Sequence, residues 1–367
     1  MAEDRAVRVG IIGGGFMAAV HSRAARAAGA DLVAVASSSP ERGRAAATAL
    51  GARRPVDDAD ALIADPEIEV VHICTPNDSH ERLALRALDA GKHVVCEKPL
   101  ALSRPAAAGL AARAASAGRV ATVPFVYRFH PMVREARALT ASGSIGRVLH
   151  VDGRYLQDWL LGADDVDWRV DAGAGGRSRA FADIGSHVVD LLEFVTGDRI
   201  VALTAITSVA HAARGGRPVA TEDMVHVLVR LASGCHGSLT VSQVAAGRKN
   251  ALRLELYGSD ASIGFDQEHP DRLLLGRRAH TAVVSRDPAA LSADAARLSI
   301  VPAGHPMGYQ DAFTAFVRDT YDGVITGSLR PEVPTFADGA RAALLTDLVL
   351  DSAVAGEWVD VPSAVPA

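Results

Sequence analysis

The residues of this 367-residue chain whose types suit proton chemistry include its three lysines, Lys92, Lys98 and Lys249, and the pair Asp183 and His187. Only three of the 38 basic residues are lysines, and an ammonium can lose its proton where a guanidinium cannot, so a lysine here is a candidate for chemistry. Asp183 and His187 are four residues apart and would share one face of a helix, with Asp190 close by. A neighbouring carboxylate orients an imidazole and suits it to accept a hydroxyl proton. In isolation, the same pattern also describes a capped helix with a satisfied histidine.

A glycine-rich turn near the N-terminus has the spacing of a pyrophosphate cradle. The pattern Gly13-x-Gly15-x-x-Ala18 lies between an apolar strand, 7–12, and a helix, 16–28. The first glycine permits a tight turn, the second lets the backbone approach a phosphate, and the small third residue lets helix and strand pack closely. The pattern favours a dinucleotide at the helix N-terminus over an ordinary turn. The residues predicted to contact it are Gly13, Gly15, Phe16 and Met17.

The end of the second predicted strand bears on the choice of cofactor. An NAD enzyme usually has an acidic residue there to hold the ribose diol, whereas this chain has Ser37, Ser38 and, slightly later, Arg42. Hydroxyls with an arginine suit a 2′-phosphate. The sequence therefore slightly favours NADP over NAD as the NAD(P) cofactor, and the alternative, serines holding an ordinary ribose, stays open.

The elements that must position these residues alternate in type in the first third of the chain. Strands alternating with helices and joined by short turns predict a parallel sheet with helices on both faces, in a domain spanning 1–124. The predicted strands after the first are 31–36, 70–75, 93–96 and 120–123, and the predicted helices after the first are 40–50, 79–90 and 103–116.

The remainder, 125–367, is predicted to form one substrate-binding and oligomerisation domain of α+β type. Long apolar alternations indicate a large, mostly antiparallel open sheet. We expect 260–306 to be irregular and the substrate to lie at the carboxyl edge of the first sheet. The predicted strands are 147–156, 201–208, 224–231, 237–244 and 252–258.

Three motifs resemble the glucose–fructose oxidoreductase, inositol dehydrogenase and rhizopine catabolism (Gfo/Idh/MocA) family. They are Cys-Thr-Pro-Asn-Asp-Ser-His at 74–80, the segment 91–100 with Glu97-Lys98-Pro99, and Asp-Ile-Gly-Ser-His-Val-Val-Asp at 183–190. The resemblance implies an N-terminal Rossmann domain, a lysine directed at the substrate hydroxyl, and a proline that often follows a cis bond. It also implies a polar cluster completed by Asp183 and His187. The residues it implies at the cofactor are Thr75, Pro76, Asn77, His80, Glu97, Lys98, Trp168 and Arg169.

Other residues are candidates for contact with a sugar or polyol. Gln157, Asp158 and Trp159 leave a strand and offer two hydrogen-bonding groups with a flat apolar surface, although a strand-end loop with a core tryptophan would look the same. The family resemblance adds Tyr127 and Arg128, and Tyr309 opens a late helix. Arg177 and Arg179 depart from the family pattern and could bind a substrate anion, lie at the surface or contact another subunit.

Composition limits the remaining possibilities. The net charge of −5 leaves no basic surface for nucleic acid, and no apolar run reaches about 18 residues, so we expect neither nucleic-acid nor membrane partners. The cysteines lack C-x-x-C spacing and the histidines are scattered, so we expect no metal site, no disulfide framework and a cytoplasmic protein.

The function predicted from the sequence is hydride transfer between a nicotinamide and a secondary hydroxyl or ketone of a sugar, cyclitol or glycoside. The alternatives are an epimerase or lyase that recycles a tightly bound cofactor, and a non-catalytic nucleotide sensor. We expect a homodimer or homotetramer formed through the open face of the C-terminal sheet.

Overall fold

The computed structural model describes residues 5–363, which separate into two compact units. The first contains 5–126 and Gln310–Arg341, and the second contains Tyr127–Tyr309 and 342–363. The predicted boundary after residue 124 lies two residues from the observed one. The prediction of a single C-terminal domain, 125–367, differs from this division because 310–341 returns to the first unit. Residues 364–367 lie outside the described range.

The helices are distributed along the whole chain. Short 3₁₀ turns lie at Asn77–Ser79, Val126–Phe129 and Trp168–Val170, and a π-helical turn lies at Phe181–Gly185. The α-helices are α1 (Phe16–Ala27), α2 (Pro40–Leu50), α3 (Ala59–Ala64), α4 (His80–Asp89), α5 (Arg104–Ala117), α6 (Pro131–Ala141), α7 (Ala172–Gly175), α8 (Ser186–Thr196), α9 (Ala293–Leu298), α10 (Tyr309–Thr326) and α11 (Phe336–Ala355).

The strands build two principal sheets and one small hairpin. Strands β1 to β6 belong to the first unit and β7 to β17 to the second. Their bounds are β1 (Arg8–Ile12), β2 (Asp31–Ala36), β3 (Arg54–Pro55), β4 (Val70–Ile73), β5 (His93–Cys96), β6 (Ala121–Thr122), β7 (Val148–Leu156), β8 (Ile200–Ser208), β9 (Ala213–Arg214), β10 (Arg217–Pro218), β11 (Met224–Leu231), β12 (His236–Ser242), β13 (Ala251–Gly258), β14 (Ser262–Asp266), β15 (Arg272–Arg277), β16 (His280–Ser285) and β17 (Val359–Asp360).

The first unit is the expected doubly wound parallel sheet. Its strand order is β3-β2-β1-β4-β5-β6, and the paired strands run parallel. The central strands are buried along nearly their whole length and mostly apolar, with His72 of β4 as a buried polar exception, because helices cover both faces. The order reverses between β1 and β4, and such a switch point is where open α/β sheets bind ligands at the carboxyl ends of their strands.

Helix α10 belongs to the first unit because its side chains pack there. The Phe313 ring meets the His21 ring edge-on with centroids 4.7 Å apart, and the Tyr321 hydroxyl lies 2.9 Å from Nε2 of His72. The Gln310 amide also donates to the carbonyl oxygen of Val20 in α1. These contacts link positions about 250 to 290 residues apart.

The second unit is built on the expected large sheet. Its order is β16-β15-β14-β13-β7-β12-β11-β8-β17, antiparallel except for the parallel pair β12–β7. One face packs against α6, α8 and the second half of α11 around an apolar core. Along β11, Val225, Val227 and Val229 are buried whereas the intervening side chains are largely exposed, so the opposite face is open.

The structure corrects the expectation that 260–306 is irregular. Strands β14, β15 and β16 extend the sheet by successive antiparallel pairing. Each has only five or six residues, and the polar residues among them hide the alternation that would predict a strand.

Candidate functional site

The glycine turn of the first unit is shaped to admit a dinucleotide. Gly13 has φ +124°, and a Cβ there would lie 2.4 Å from the carbonyl oxygen of Cys74, so only glycine fits. A Cβ at Gly15 would meet no atom within 4 Å, and among the described residues no side chain caps the α1 N-terminus that begins there. Phe16, 72% exposed, and Met17 form the first turn of α1. The open space and the unobstructed helix N-terminus fit a bound pyrophosphate.

At the end of β2, the structure brings two of the predicted cofactor residues together. Arg42 Nη1 donates to Ser38 Oγ at 3.1 Å, while Ser39 caps α2 by accepting from the Arg42 backbone N–H. Arg42 and Ser38 are both exposed, and Ser37 is half-buried beside them. The pair offers a cation and a hydroxyl where a ribose would lie.

The segment after β4 is held in place by His80. Its Nδ1 lies 2.8 Å from the Pro99 carbonyl oxygen and its Nε2 lies 3.0 Å from the Thr75 carbonyl oxygen. Burial lowers the pKa of His80, and the two carbonyls and Glu97 oppose that change. The fully buried ring therefore ties the Thr75 loop to the Pro99 loop, rather than lining the cofactor as the resemblance implied. Thr75 and Pro76 remain accessible at the strand end, and Asn77 is buried.

Glu97 and Lys98 follow β5 directly. The bond between Lys98 and Pro99 is cis, as the resemblance implied. Glu97 is buried: its Oε1 lies 2.9 Å from His21 Nε2, and its Oε2 accepts from the Lys98 backbone N–H at 3.2 Å. Burial raises the pKa of Glu97, but the bond from His21 and nearby positive charge outweigh it, so the net pKa is lowered.

In the second unit, Asp183 lies in the π-helical turn and His187 in the first turn of α8. The predicted helix is thus interrupted by an extra-wide turn, a feature frequent at functional sites. Gln243 donates to Asp183 Oδ2 at 2.9 Å, and Arg169 Nε lies 3.6 Å from Oδ1. The carboxylate is therefore oriented by a neutral donor on one oxygen and a cation on the other.

His187 lies among tyrosines. The Tyr127 ring meets it edge-on with centroids 4.9 Å apart, and the Tyr155 ring lies 6.3 Å away. Tyr309 lies 6.3 Å from Tyr127. The unit thus gathers Tyr127, Tyr309 and His187, three predicted substrate residues, together with Tyr155, which the sequence did not identify.

Arg128 and Asp190 form a separate pair. The guanidinium donates to both carboxylate oxygens, and both side chains are buried beside the Phe194 ring. Arg128 is therefore held to α8 through Asp190, and its predicted contact with a substrate stays a prediction.

The Gln157–Trp159 segment joins a network centred on Asn250. Tyr155 donates to Asn250 Oδ1 at 2.5 Å, and Gln157 Nε2 donates to the same oxygen at 3.0 Å. The Trp159 indole N–H donates to Gln157 Oε1, and the Trp159 residue is 37% exposed. Asp158 instead pairs with Lys249 at 2.7 Å, so this predicted substrate contact lies in a surface ion pair.

Trp168 and Arg169 lie together, with the guanidinium 4.4 Å from the indole centroid. Arg169 also contacts Asp183, so the structure connects this pair to the predicted catalytic carboxylate. Of the two departures from the family pattern, Arg177 lies at the surface near Asp347 and Asp351.

Arg179 is the other departure, and it lies inside the second unit. It is buried with Arg214 on one oxygen of Asp223, and all three side chains have no solvent exposure. Its ion pair is internal, which excludes the substrate-anion role considered from sequence.

Three residues of these networks, Asn250, Gln243 and Tyr155, were not predicted from the sequence. Gln243 directly follows β12, Asn250 directly precedes β13 and Tyr155 lies near the end of β7. Their common signal is a polar side chain at a strand end, and it becomes visible only when the strand order is known.

Within residues 5–363, no three His, Cys, Asp or Glu side chains are grouped so that they could hold a metal ion. Over the same range, no helix has the length and apolarity needed to cross a bilayer.

Comparisons with known proteins agree with this arrangement. Residues 7–125 match the oxidoreductase family model for an NAD-binding Rossmann fold, and 133–264 match the GFO/IDH/MocA C-terminal domain. Levoglucosan dehydrogenase of Pseudarthrobacter phenanthrenivorans is 33% identical, over 97% of this chain and 98% of that protein.

Solved structures extend the comparison. A levoglucosan dehydrogenase complex with NADH and levoglucosan superposes with a TM-score of 0.92 at 32% identity, covering 98% of this chain and all of that chain. An inositol dehydrogenase homolog with NAD+ from Azotobacter vinelandii gives 0.88 at 28% identity, covering 97% and 98%. The chain therefore belongs to the Gfo/Idh/MocA family of NAD(P)-dependent oxidoreductases.

Proposed function

We propose that the protein is a dehydrogenase for a secondary hydroxyl of a sugar or anhydrosugar. The observation that carries the proposal is that each matched domain contains the polar residues predicted for this chemistry: Lys98 shortly after β5, and Asp183 in the π-helical turn directly before α8 with His187 in the first turn of α8. The exposed Trp159 residue, with Gln157 beside it, supports a ring-shaped polyol as the ligand. The resemblance to levoglucosan dehydrogenase over nearly the whole chain supports the same substrate class.

Each polar residue has a distinct role in this proposal. Lys98 donates a hydrogen bond to the reacting oxygen, and His187 accepts the hydroxyl proton. Asp183, oriented by Gln243 and Arg169, holds the substrate and the imidazole in place. The nicotinamide, when bound, supplies the acceptor or donor of hydride. The residues that would hold it are the glycine turn, Thr75 and Pro76.

The test is a polyol screen with NAD and NADP in parallel, monitored by absorbance of the reduced nicotinamide. Levoglucosan, L-sorbose, myo-inositol and D-xylose are suitable first compounds. Turnover with at least one cyclic polyol supports the proposal, and turnover with none of them contradicts it.

The Lys98→Ala variant tests the assignment of the lysine. We expect turnover to fall about 10²- to 10⁴-fold while cofactor affinity stays within a few-fold of the wild type. Lys249→Ala, which removes an exposed lysine paired with Asp158, is the matched control and should retain turnover. Near-normal turnover in Lys98→Ala would refute the assignment.

We further propose that both nicotinamide cofactors are accepted and that NADP is slightly favoured. The exposed Arg42 guanidinium beside Ser38 supports a 2′-phosphate site. The NADH complexes of relatives make preference for NAD the competing expectation. The ratio of kcat/KM for the two cofactors decides between them. The three cysteines are free thiols, which fits the reducing cytoplasm in which we propose that the protein acts.

The open face of the second unit's sheet supports assembly into a homo-oligomer. In the register of β7 and β13, Asp152 lies opposite Glu255 and Arg154 lies opposite Arg253. Like charges directly opposite each other on neighbouring strands are unfavourable. A second copy related by a two-fold axis would place its Arg154 and Arg253 against Asp152 and Glu255 of the first copy, and so offset the repulsion. The exposed apolar side chains flanking these charged residues include Ile206, Leu228, Leu274 and Val283.

Assembly through this open face can be tested by measuring the mass of the protein in solution. Leu228→Arg combined with Ile206→Arg should convert the oligomer to a smaller species in sedimentation. An unchanged mass in a folded variant would contradict assembly through this face.

A further inference from the structure

Four buried polar side chains of the first unit form a continuous chain. Glu97 Oε1 lies 2.9 Å from His21 Nε2, His21 Nδ1 lies 2.7 Å from His72 Nδ1, and His72 Nε2 lies 2.9 Å from the Tyr321 hydroxyl. The two histidines have no exposed surface, and Tyr321 is only 3% exposed. The residues come from the loop after β5, from α1, from β4 and from α10, so the fold alone brings them together.

One arrangement of protons satisfies every contact in this chain, and it starts at the Tyr321 hydroxyl. Burial raises the pKa of Tyr321, so its hydroxyl keeps its proton and is able to donate to His72 Nε2. Burial, followed by the influence of His21, lowers the pKa of His72, and a neutral His72 that accepts from the phenol has its hydrogen on Nδ1. That hydrogen is then directed at His21 Nδ1, and the other ring nitrogen of His21, Nε2, donates to Glu97.

All donors in the chain thus run in one direction, from the phenol to the carboxylate. Every ring nitrogen of the two histidines has a partner, which is what a buried polar network requires. The Phe313 ring covers His21 edge-on and completes the apolar enclosure.

The carboxylate at the end of the chain is held on both oxygens. Oε1 receives the His21 N–H, and Oε2 receives the backbone N–H of Lys98. Besides His21, the charges of Lys98 and His80 lower the pKa of Glu97, and the Glu97 carboxylate in turn raises the pKa of the Cys74 and Cys96 thiols.

We propose that His21, His72 and Tyr321 are positioning residues that hold the Glu97 carboxylate in one orientation and thereby fix the backbone from which Lys98 projects. The inference rests on the proposed function insofar as it concerns the lysine's role. The hydrogen-bonded chain itself is independent of any substrate.

The first experiment uses cofactor-free protein with ¹⁵N-labelled histidine. Imidazole nitrogen and proton correlations should place a hydrogen on Nε2 of His21 and a hydrogen on Nδ1 of His72, with both hydrogens protected from exchange. His72→Leu removes one resonance and identifies the other. A hydrogen on Nε2 of His72, or rapid exchange of both, would overturn the proposal.

The second experiment substitutes one residue of the hydrogen-bonded chain at a time and measures kcat as a function of pH. His72→Leu removes the donor to His21, so His21 is no longer held in its donating form and burial raises the pKa of Glu97. We expect kcat to fall about tenfold or more, and its acid limb to move to higher pH. His72→Asn places an amide N–H near the former Nδ1 and should restore most of kcat and the original pH profile.

Tyr321→Phe keeps the ring but removes the first donor, and should move the acid limb in the same direction by less. Tyr257→Phe, which removes a phenol hydroxyl bonded to Glu255 in the second unit, is its matched control and should leave the profile unchanged. Unchanged pH profiles in both His72→Leu and Tyr321→Phe, or in Tyr321→Phe alone should His72→Leu not fold, would overturn the inference. If the wild type oxidised no polyol, the proposed function would fail, whereas the labelled-histidine result would still decide on the chain.

Discussion

In the first unit, functional side chains follow the ends of neighbouring parallel strands, whereas in the second they come from distant strands and helices. The turn after β1 and the segments after β4 and β5 lie within about 90 residues of sequence, and their placement follows from the doubly wound sheet. In the second unit, by contrast, Asp183 is oriented by Gln243 from 60 residues away, and Tyr127 reaches Asn250 across 123 residues. Short parallel units bring the predicted cofactor segments together by backbone geometry, with the buried chain from Glu97 to Tyr321 as an added side-chain network, whereas the polar groups of the second unit depend on side-chain networks throughout.

The largest effect is expected from a substitution that breaks the buried ion pairs of Asp223 in the second unit. Asp223→Ala leaves Arg179 and Arg214 buried without their carboxylate, so the free energy of unfolding should fall by about 3–5 kcal/mol in denaturant titrations. Arg177→Ala, at an exposed ion pair, is the control and should change it by less than about 1 kcal/mol. Equal stability of Asp223→Ala and wild type would contradict this account.

The same carboxylate predicts a pH dependence of stability. Burial raises the pKa of Asp223, but the two arginines and a backbone N–H outweigh this, so the net pKa is lowered on folding. Its contribution to stability is therefore present above the unfolded-state pKa and lost as the pH falls through the folded-state pKa. When unfolding is measured at a series of acidic pH values, the free energy of unfolding of Asp223→Ala should therefore decrease less with falling pH than that of the wild type.

The next effect tests backbone positioning in the first unit. Gly13→Ala places a Cβ against the Cys74 carbonyl at a positive φ, so about 2–5 kcal/mol of strain should reduce cofactor affinity, stability or both. Gly109→Ala, where a Cβ meets no atom within 4 Å in α5, should instead stabilise by about 0.5–1 kcal/mol. Fluorescence titration with NADH and thermal unfolding measure the two effects, and identical behaviour of both variants would count against the turn geometry.

A smaller effect is expected from a substitution at the end of β2, where it tests whether Arg42 contributes to the preference for NADP. Arg42→Ala should lower kcat/KM for NADP by about 10- to 100-fold, because a charge-assisted bond is worth about 1.5–3 kcal/mol, and should change kcat/KM for NAD little. Parallel initial-rate measurements with the two cofactors check it. An equal loss with both would assign Arg42 to the fold of the turn instead.

The smallest expected effect is at the centre of the tyrosine network. Asn250→Ala removes the acceptor of Tyr155 and Gln157 and should raise KM for the polyol by roughly five- to tenfold, which corresponds to about 0.5–0.7 kcal/mol for each of the two hydrogen bonds. Lys249→Ala, one residue earlier, should leave KM nearly unchanged. A larger effect in the lysine variant would show that the surface ion pair, not the network, orders this segment.

The success of prediction differed between the same two units. The glycine turn, the parallel sheet and the large open sheet were all predicted, because strand and helix periodicity and turn chemistry are local properties. The ion pairs of Arg128 and Arg179 were not predicted, because the sequence around an arginine does not show whether it contacts a ligand or a buried carboxylate. Strands β14 to β16 were missed because short polar-rich strands are stabilised by pairing with neighbours rather than by their own pattern.

The sequence by itself determined the dinucleotide turn, the Glu97-Lys98-Pro99 segment and the two-sheet architecture, since each depends on residues adjacent in the chain. Only the tertiary structure decided that α10 closes over the first unit, that Tyr321 and His72, 249 residues apart, share a hydrogen bond, and that Gln243 and Asn250 orient the polar groups of the second. Hydrogen bonds between side chains form wherever the fold places a donor within about 3 Å of an acceptor, and that distance is set by the packing of whole elements, which is not encoded in the spacing of any single motif.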